Sequence, residues 1–235
     1  MLKTLILKEY KYYLYSPIGF IFALLLIGVS SFMFFADFFV VGQASMSGLF
    51  SNLFYLLTLF IPAITMGSLA DEQKNGTWEL LLTSSMSETK LILGKFFGLL
   101  LVAITYILMT LPLALIVIIL GKPDIGLIVS GYLGLFLITG VYVAIGVFAS
   151  SLTSSAMIAF LVSSVTLLVL NLVSQYQISS RFPTTIVPIV ESLSFVKYLD
   201  EFVSGVIRLP SLTIIAGMCV VFLALGVSNL KSRNA

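Results

Sequence analysis

Histidine is absent from this 235-residue sequence, cysteine occurs once, and charged residues make up only 9% of the chain. The absence of histidine removes the commonest general base and metal ligand, and the single Cys219 cannot form a disulfide within the chain. A G-x-x-x-x-G-K-[ST] phosphate-binding loop is also missing, because Gly94-Lys95 and Gly121-Lys122 lack both the upstream glycine and the following serine or threonine. We therefore predict no catalytic residue, no metal site and no cofactor bound by this chain.

Hydrophobic residues, in contrast, make up 60% of the sequence, and the mean hydropathy is +1.16. Because a soluble domain has roughly 25% charged residues, this composition is typical of a multi-pass protein embedded in a lipid bilayer. The apolar runs leave no room for a sizeable soluble domain, and the formal net charge of +2 is too small to indicate a nucleic-acid partner. The prediction is a single transmembrane domain over residues 1–235.

Six apolar stretches are each long enough to cross a membrane core of about 30 Å, which takes about 20 residues of helix. They predict an all-α membrane protein, because lipid tolerates only helices or closed barrels and these runs lack the alternation of barrel strands. The uncharged stretch from 125 to 180 is too long for one helix, and the small polar run 149–155 divides it. The predicted spans are 17–36, 49–69, 96–120, 125–148, 156–175 and 209–226.

The distribution of lysine and arginine predicts that both termini are cytoplasmic. With the amino terminus inside, the inner segments hold eight of these residues and the outer segments hold four. The inner set is Lys3, Lys8, Lys11, Lys74, Lys90, Lys95, Lys231 and Arg233, and the outer set is Lys122, Arg181, Lys197 and Arg208.

Residues 1–16 are predicted to form an amphipathic helix that lies in the membrane interface before the first span. Lys3, Lys8 and Lys11 cluster on one face, and tyrosines suited to the headgroup level accompany them. Glu9 falls on the opposite, apolar face, which predicts a protein partner for its carboxylate. The alternative is a frayed turn that exposes Glu9 to water.

The stretch LADEQKNGTWELLLTSS, residues 69–85, crowds charges between two apolar spans. Lipid is excluded as its surroundings, because one central charge costs roughly 2.5–3.5 kcal/mol on insertion scales. Asn75-Gly76 predicts a turn, Thr77 is a candidate N-cap, and 78–82 would form a short amphipathic helix. That helix either rests on lipid headgroups or docks into a cytoplasmic partner.

The polar segment before the last span, residues 176–208, carries apolar side chains at roughly helical spacing with charged residues among them. It predicts one or two short amphipathic helices that dip into the outer interface, interrupted by prolines. These helices would either close the exit of a transport pathway or only cover the end of the helix bundle. The apolar positions are Ile189, Leu193, Val196, Phe202, Val203 and Ile207.

These motifs together resemble those of ABC transporter permeases of the type-2 exporter class. DEQKNGTWELLLTS is similar to the family's E-x-x-x-G-T-x-E-x-L-L-x-T pattern after the second span, although Ser85 stands where proline is usual. LILGKFF at 91–97 and ASSLTSSA at 149–156 are similar to the family's third-span entry and to its junction between spans four and five. The segment 194–212 resembles permeases associated with gliding motility and with nitrous-oxide-reductase maturation.

The resemblance implies a permease subunit of an ATP-driven exporter in a bacterial inner membrane. It would pair with a second permease, identical or related, above separate ABC ATPase subunits that hold ATP and magnesium. The implied coupling element comprises Glu72, Lys74, Gly76, Thr77, Trp78, Glu79, Leu80 and Leu81, with Glu9 as the entry-helix contact. The implied outer gate comprises Phe195, Phe202 and Gly205.

Two other classes of function stay open at this stage. A self-sufficient channel or carrier would need a polar pathway, and the absence of ionisable residues within the predicted spans counts against it. A membrane anchor or force-transmitting subunit of an envelope complex would use the outer segment to bind a partner.

Overall fold

The structure is a computed structural model, which describes residues 2–41, 46–76, 87–121, 123–173 and 193–234. All regular secondary structure in these ranges is α-helical, as the sequence predicts. The helices are α1 (Leu2–Tyr15), α2 (Pro17–Val41), α3 (Ser47–Thr65), α4 (Gly67–Lys74), α5 (Glu88–Leu108), α6 (Leu111–Gly121), α7 (Ile125–Leu152), α8 (Ala156–Val173), α9 (Phe195–Val203) and α10 (Leu209–Asn234).

Five helical stretches in the described residues are long and apolar enough to cross a membrane. The fifth predicted span, 156–175, corresponds to a shorter apolar helix, Ala156–Leu172. The described part of the chain therefore has five helices of spanning length and a sixth apolar helix that is shorter over the residues described. The five are Pro17–Ala36, Ser47–Lys74, Glu88–Gly121, Ile125–Leu152 and Leu209–Ser232.

Most of the helices extend beyond the span boundaries that the sequence predicts, and the second and third do so into charged segments. The third begins at Glu88 rather than at 96, and the second continues, through a bend, to Lys74 rather than ending at 69. Hydropathy places a boundary at the first charged residue, whereas the backbone stays helical as long as its hydrogen bonds are satisfied. The charged residues of both regions therefore lie on helices.

Local chemistry explains the breaks inside these two stretches. Pro62 lies within α3, and Thr65 donates its hydroxyl to the carbonyl of Ile61 at 2.9 Å just before the bend at Met66. Between α5 and α6, Pro112 cannot donate a backbone hydrogen bond to the preceding turn. Thr110 donates instead to the Ile107 carbonyl at 2.7 Å. Both breaks lie within a single helical stretch of spanning length.

Helix α7 is the centre of the bundle. Its most apolar stretch is 78% buried, against 28% for α2 and 17% for α10, and α3, α4, α5, α8, α9 and α10 all pack on it. Glycines on α7 permit this close packing, because a Cβ at Gly131 or Gly146 would overlap Phe50 or Thr65. The weakly buried helices α2 and α10 leave large apolar faces for lipid or for another subunit.

A buried polar layer attaches the short helix α8 to this centre. The Asn171 amide donates to the Tyr142 hydroxyl at 2.9 Å and to the Thr58 hydroxyl at 3.1 Å. All three side chains are buried, and Tyr142 is fully enclosed. Hydrogen bonds of this kind between membrane helices contribute about 0.6–2 kcal/mol each. The layer therefore sets the position of α8 relative to α3 and α7.

Helix α9 lies along α7, with its apolar side covered by protein. Phe195 packs edge-to-face on Tyr142 with ring centroids 5.4 Å apart, and an added Cβ on Gly134 would lie 2.5 Å from Phe202. Both phenylalanines are buried, whereas Lys197 and Asp200 on the opposite side are exposed. The sequence prediction of an amphipathic helix is confirmed for 195–203, but its apolar face contacts α7 rather than a lipid surface. Residues 174–192 of this segment lie outside the described part.

Gly205 ends α9 in a left-handed conformation, with φ of +76°. The amide of Val206 donates to the Glu201 carbonyl at 2.9 Å, which forms the hydrogen bond typical of a Schellman motif. An added Cβ would also lie 2.8 Å from Leu127. The turn therefore favours glycine both for its backbone conformation and for its close neighbour.

We expect Gly205→Ala to lower the free energy of unfolding by about 1–2 kcal/mol, because a side chain is strained in this conformation. Gly217→Ala in α10 is the matched control, since nothing lies within 4 Å of its added Cβ and its backbone is helical. Chemical unfolding of the two detergent-solubilised variants, followed by tryptophan fluorescence, measures the difference. Equal stability of the two would contradict this account of the α9 turn.

Candidate functional site

The charged residues of α1, α4 and α5 meet at one end of the bundle, which we call the charged end. Helix α1 lies against the start of α5, where Gly94 and Gly98 leave space for Leu5 and Glu9. An added Cβ on Gly98 would lie only 2.6 Å from the Cβ of Glu9. Gly94-x-x-x-Gly98 is a small-residue spacing that allows two helices to approach closely. This contact sets the position of Glu9 along α5.

Lys95 connects three helices at the charged end. Its ammonium group donates to Glu9 Oε1 at 2.9 Å and to Glu72 Oε1 at 2.5 Å. The Lys95 and Glu9 side chains are 3% and 9% exposed, and that of Glu72 is 21% exposed. We call Glu9, Lys95 and Glu72 the charged triad. It joins α1, α5 and α4, whose contributing residues are far apart in sequence.

Ser150, near the end of α7, holds the first turn of α4. Its hydroxyl oxygen accepts hydrogen bonds from the backbone amides of Leu69 and Ala70, both at 3.0 Å, and the hydroxyl donates to the Met66 carbonyl at 2.8 Å. The first amides of a helix have no partner within the helix. A side chain from another helix therefore acts as the cap of α4.

Ser151 adds a second connection at the same level. Its backbone carbonyl accepts a hydrogen bond from the side-chain amide of Gln73 on α4 at 3.3 Å. It accepts another from the side-chain amide of Asn229 on α10 at 2.7 Å. The junction 149–155, predicted as a simple divider between two spans, therefore also binds α4 and α10. Helix α4 is consequently attached to α1 and α5 through the charged triad and to α7 through Ser150 and Ser151.

The predicted coupling residues fall into two groups. Glu72 and Lys74 lie on α4, with Glu72 in the charged triad and Lys74 exposed at the helix end. The turn predicted at Asn75-Gly76 is present, and Gly76 has a left-handed φ of +68°. Thr77, Trp78, Glu79, Leu80 and Leu81 lie outside the described residues.

The remaining predicted residues lie elsewhere in the bundle. Glu9 is buried in the charged triad rather than exposed by fraying. Phe195, Phe202 and Gly205 belong to α9 and its terminal turn. Phe195 packs on Tyr142 in the middle of α7, whereas Phe202 and Gly205 lie beside Gly134 and Leu127, nearer the end of α7 opposite Ser150. The structure therefore brings Glu9 and Glu72 together, and it keeps the predicted gate residues apart from them.

Lys95 and Ser150 are site residues that were not predicted as such from the sequence. Lys95 lies in LILGKFF and Ser150 in ASSLTSSA, so both are inside stretches that carried the family resemblance. The signal for Lys95 was its position inside Gly94-x-x-x-Gly98, which predicts a close helix contact beside a charge that needs a partner. No comparable local signal identifies Ser150 among its neighbouring serines.

Comparison with known protein families gives a match over most of the chain. The family described as ABC-2 family transporter protein matches residues 38–228, which cover the bundle from the end of α2 to within α10. A search of curated proteins gave no match. The matched region includes α4, Lys95 and Ser150, and α1 with Glu9 lies before it.

Proposed function

Because this chain belongs to the ABC-2 family of transporter proteins, we propose that it is the membrane-spanning permease subunit of an ATP-driven exporter. Permeases of this family generally work with an ATPase subunit. In this proposal, ATP and magnesium bind to that separate subunit and hydrolysis takes place there. The chain itself supplies the pathway and no catalytic group.

The attachment of α4 is the structural observation that supports coupling to an ATPase. Helix α4 continues α3 through a bend and ends at the Asn75-Gly76 turn, directly before the segment that resembles a docking helix. Because Lys95, Ser150 and Ser151 connect α4 to α1, α5 and α7, a force on the following segment reaches those helices through direct bonds. Coupling requires such an element with two arrangements of different energy.

We assign the docking contacts to residues 77–81 by family resemblance. Trp78, Leu80 and Leu81 would enter an apolar groove on the ATPase, and Glu79 and Lys74 would make polar contacts at its rim. Glu72 has a different role in this proposal, because its carboxylate is bound to Lys95 within the chain. It would transmit displacement of the loop rather than bind the ATPase.

The proposal also includes a second permease subunit, identical or related. Asp200 lies between Phe195 and Phe202 on α9, and Phe202 contacts α7 at Gly134, nine residues into that helix. At 1.5 Å per residue this position is roughly 14 Å from the outer end of α7. Because a charge facing lipid at such depth costs roughly 2.5–3.5 kcal/mol, the exposed face with Lys197 and Asp200 would turn to water between two subunits.

This arrangement places the charged end and both termini on the cytoplasmic side of a bacterial inner membrane. Within the family, we relate the chain to permeases associated with gliding motility or nitrous-oxide-reductase maturation, on the segment 194–212. A role as an anchor that transmits force would use the same α4 attachment without a transported substrate.

An affinity pulldown tests the proposed partnership directly. The tagged chain is solubilised from its native membrane, and its partners are identified by mass spectrometry beside a Glu79→Lys variant and a Lys90→Glu control. We expect an ATPase with a phosphate loop to accompany the native chain and the control, and its recovery to fall by about tenfold or more with Glu79→Lys, because a reversed charge opposes docking.

Absence of any ATPase under conditions that retain other complexes would contradict the permease proposal. In that case the stretch 69–85 would be an interfacial helix. A function as a channel or as a membrane anchor would then replace the permease proposal. Stimulation of ATPase activity by a transported substrate would distinguish an exporter from a force-transmitting anchor.

A further inference from the structure

A cavity of about 260 Å³ lies beside the charged triad, between α1, the start of α2 and the bend from α3 to α4. Its polar wall carries three carboxylates, those of Glu9, Asp71 and Glu72, and two ammonium groups, those of Lys8 and Lys95. Lys95 is already bound to two of the carboxylates. The wall therefore has one excess negative charge, and the exposed Asp71 contributes it.

Two further features favour a ligand that donates hydrogen bonds. The Ser68 side chain lines the cavity, and its buried hydroxyl has no hydrogen-bond partner among the described residues. The Asp71 carboxylate lies over Gly67, in space that a side chain on that residue would occupy.

The opposite wall is apolar and leads to the surface of the first span. Ile18, Phe22 and Ala63 line it, and Ile18 and Ile21 on α2 are 62% and 56% exposed. Helix α1, with its tyrosines and lysines, has the composition of a segment at the headgroup level. A molecule with a polar head in the cavity could therefore place its apolar chains along α2.

We propose that this cavity binds the headgroup of an ethanolamine phospholipid. A primary ammonium group can donate three hydrogen bonds, which suits Asp71 and the Ser68 hydroxyl. Lys8, at the edge of the cavity, would pair with the phosphate. A choline headgroup has no N–H donor, and a headgroup with only negative charge would face the carboxylate wall. This site is independent of transport, since it requires only the chain and a lipid.

Native mass spectrometry of the purified, delipidated full chain tests the site with three synthetic dioleoyl lipids. These are phosphatidylethanolamine, phosphatidylcholine and phosphatidylglycerol, each added over the same concentration range. We expect phosphatidylethanolamine to bind about tenfold more tightly than phosphatidylcholine, because its ammonium group donates hydrogen bonds that a choline headgroup cannot make. Asp71→Asn should remove this preference without changing phosphatidylcholine binding.

Glu88→Gln is the matched control, because Glu88 is a carboxylate at the same end of the bundle that does not line the cavity. It should retain the preference. Gly67→Ala should weaken it, because the added methyl displaces Asp71. Equal binding of phosphatidylethanolamine and phosphatidylcholine, or a preference unchanged by Asp71→Asn, would overturn the proposal. Full competition by soluble ethanolamine would also overturn it, since the ligand would then be a cytosolic amine rather than a lipid.

Discussion

Lys95→Met should destabilise the protein by about 3–5 kcal/mol, because removing one partner of a buried ion cluster leaves uncompensated charge behind. The change would leave the Glu9 and Glu72 carboxylates facing each other with no cation between them. Glu9 is nearly fully enclosed, so the cost of desolvating its carboxylate is no longer offset once the ammonium group is lost. Thermal unfolding of the detergent-solubilised chain, followed by size-exclusion chromatography, measures the loss.

Lys90→Met is the matched control, because Lys90 lies on the same helix and is exposed. The free energy of unfolding of this variant should stay within about 0.5 kcal/mol of that of the native chain. A triple variant, Glu9→Gln, Glu72→Gln and Lys95→Met, distinguishes the effect of unpaired charge on stability from the effect of lost packing. It should regain most of the lost stability, since neutral replacement of a whole buried ion cluster is often tolerated.

The same variants test whether the charged triad also transmits force. If it does, the triple variant should fold and bind the ATPase while ATP-dependent activity of the complex falls. If the triple variant is as unstable as Lys95→Met alone, unpaired charge is not the cause and the proposed role of the triad is wrong. Full activity of the triple variant would restrict the triad to a role in stability.

Ser150→Ala should destabilise the protein by about 2–4 kcal/mol. It removes the acceptor for the Leu69 and Ala70 amides and the donor to the Met66 carbonyl. Each buried polar group left without a partner costs about 1–3 kcal/mol, and all the groups concerned lie where α4 meets α7. Alanine otherwise preserves the helix, so the effect isolates the hydrogen bonds.

Ser154→Ala is the control for this prediction, because Ser154 belongs to the same junction and is exposed. Hydrogen exchange provides a local measurement beside global stability. The Leu69 and Ala70 amides should exchange faster in Ser150→Ala, whereas amides in the middle of α7 should change less. If the two serine variants behave alike, α4 is not held by α7 and the proposed path of coupling through Ser150 fails.

Both predictions concern the attachment of α4, which explains why this short helix matters for function. Alone, an eight-residue helix with a polar sequence is not stable in water. Here it continues a buried span and is fixed from three sides, so it can move only with the helices that hold it. Variants that release α4 should therefore reduce coupling more than they reduce insertion into the membrane.

The amino-acid sequence alone determined which segments are apolar helices. Transfer of side chains into lipid is a local property, summed over about 20 residues, so apolar runs can be read directly. The Asn75-Gly76 turn and the junction between α7 and α8 were also predicted, because glycine and small polar residues act through their own backbone. The amphipathic pattern of α9 was visible because its apolar side chains recur at helical spacing.

Only the tertiary structure decided which residues on different helices meet. Lys95 pairs with Glu9 across 86 positions of sequence and with Glu72 across 23, and Ser150 caps a helix 80 positions away. These contacts depend on the register and distance between packed helices, which glycines such as Gly98 set through close approach. Hydropathy contains no information about the register between helices. A charged residue beside an apolar run is therefore taken as the end of a membrane span, even where a partner on another helix neutralises its charge.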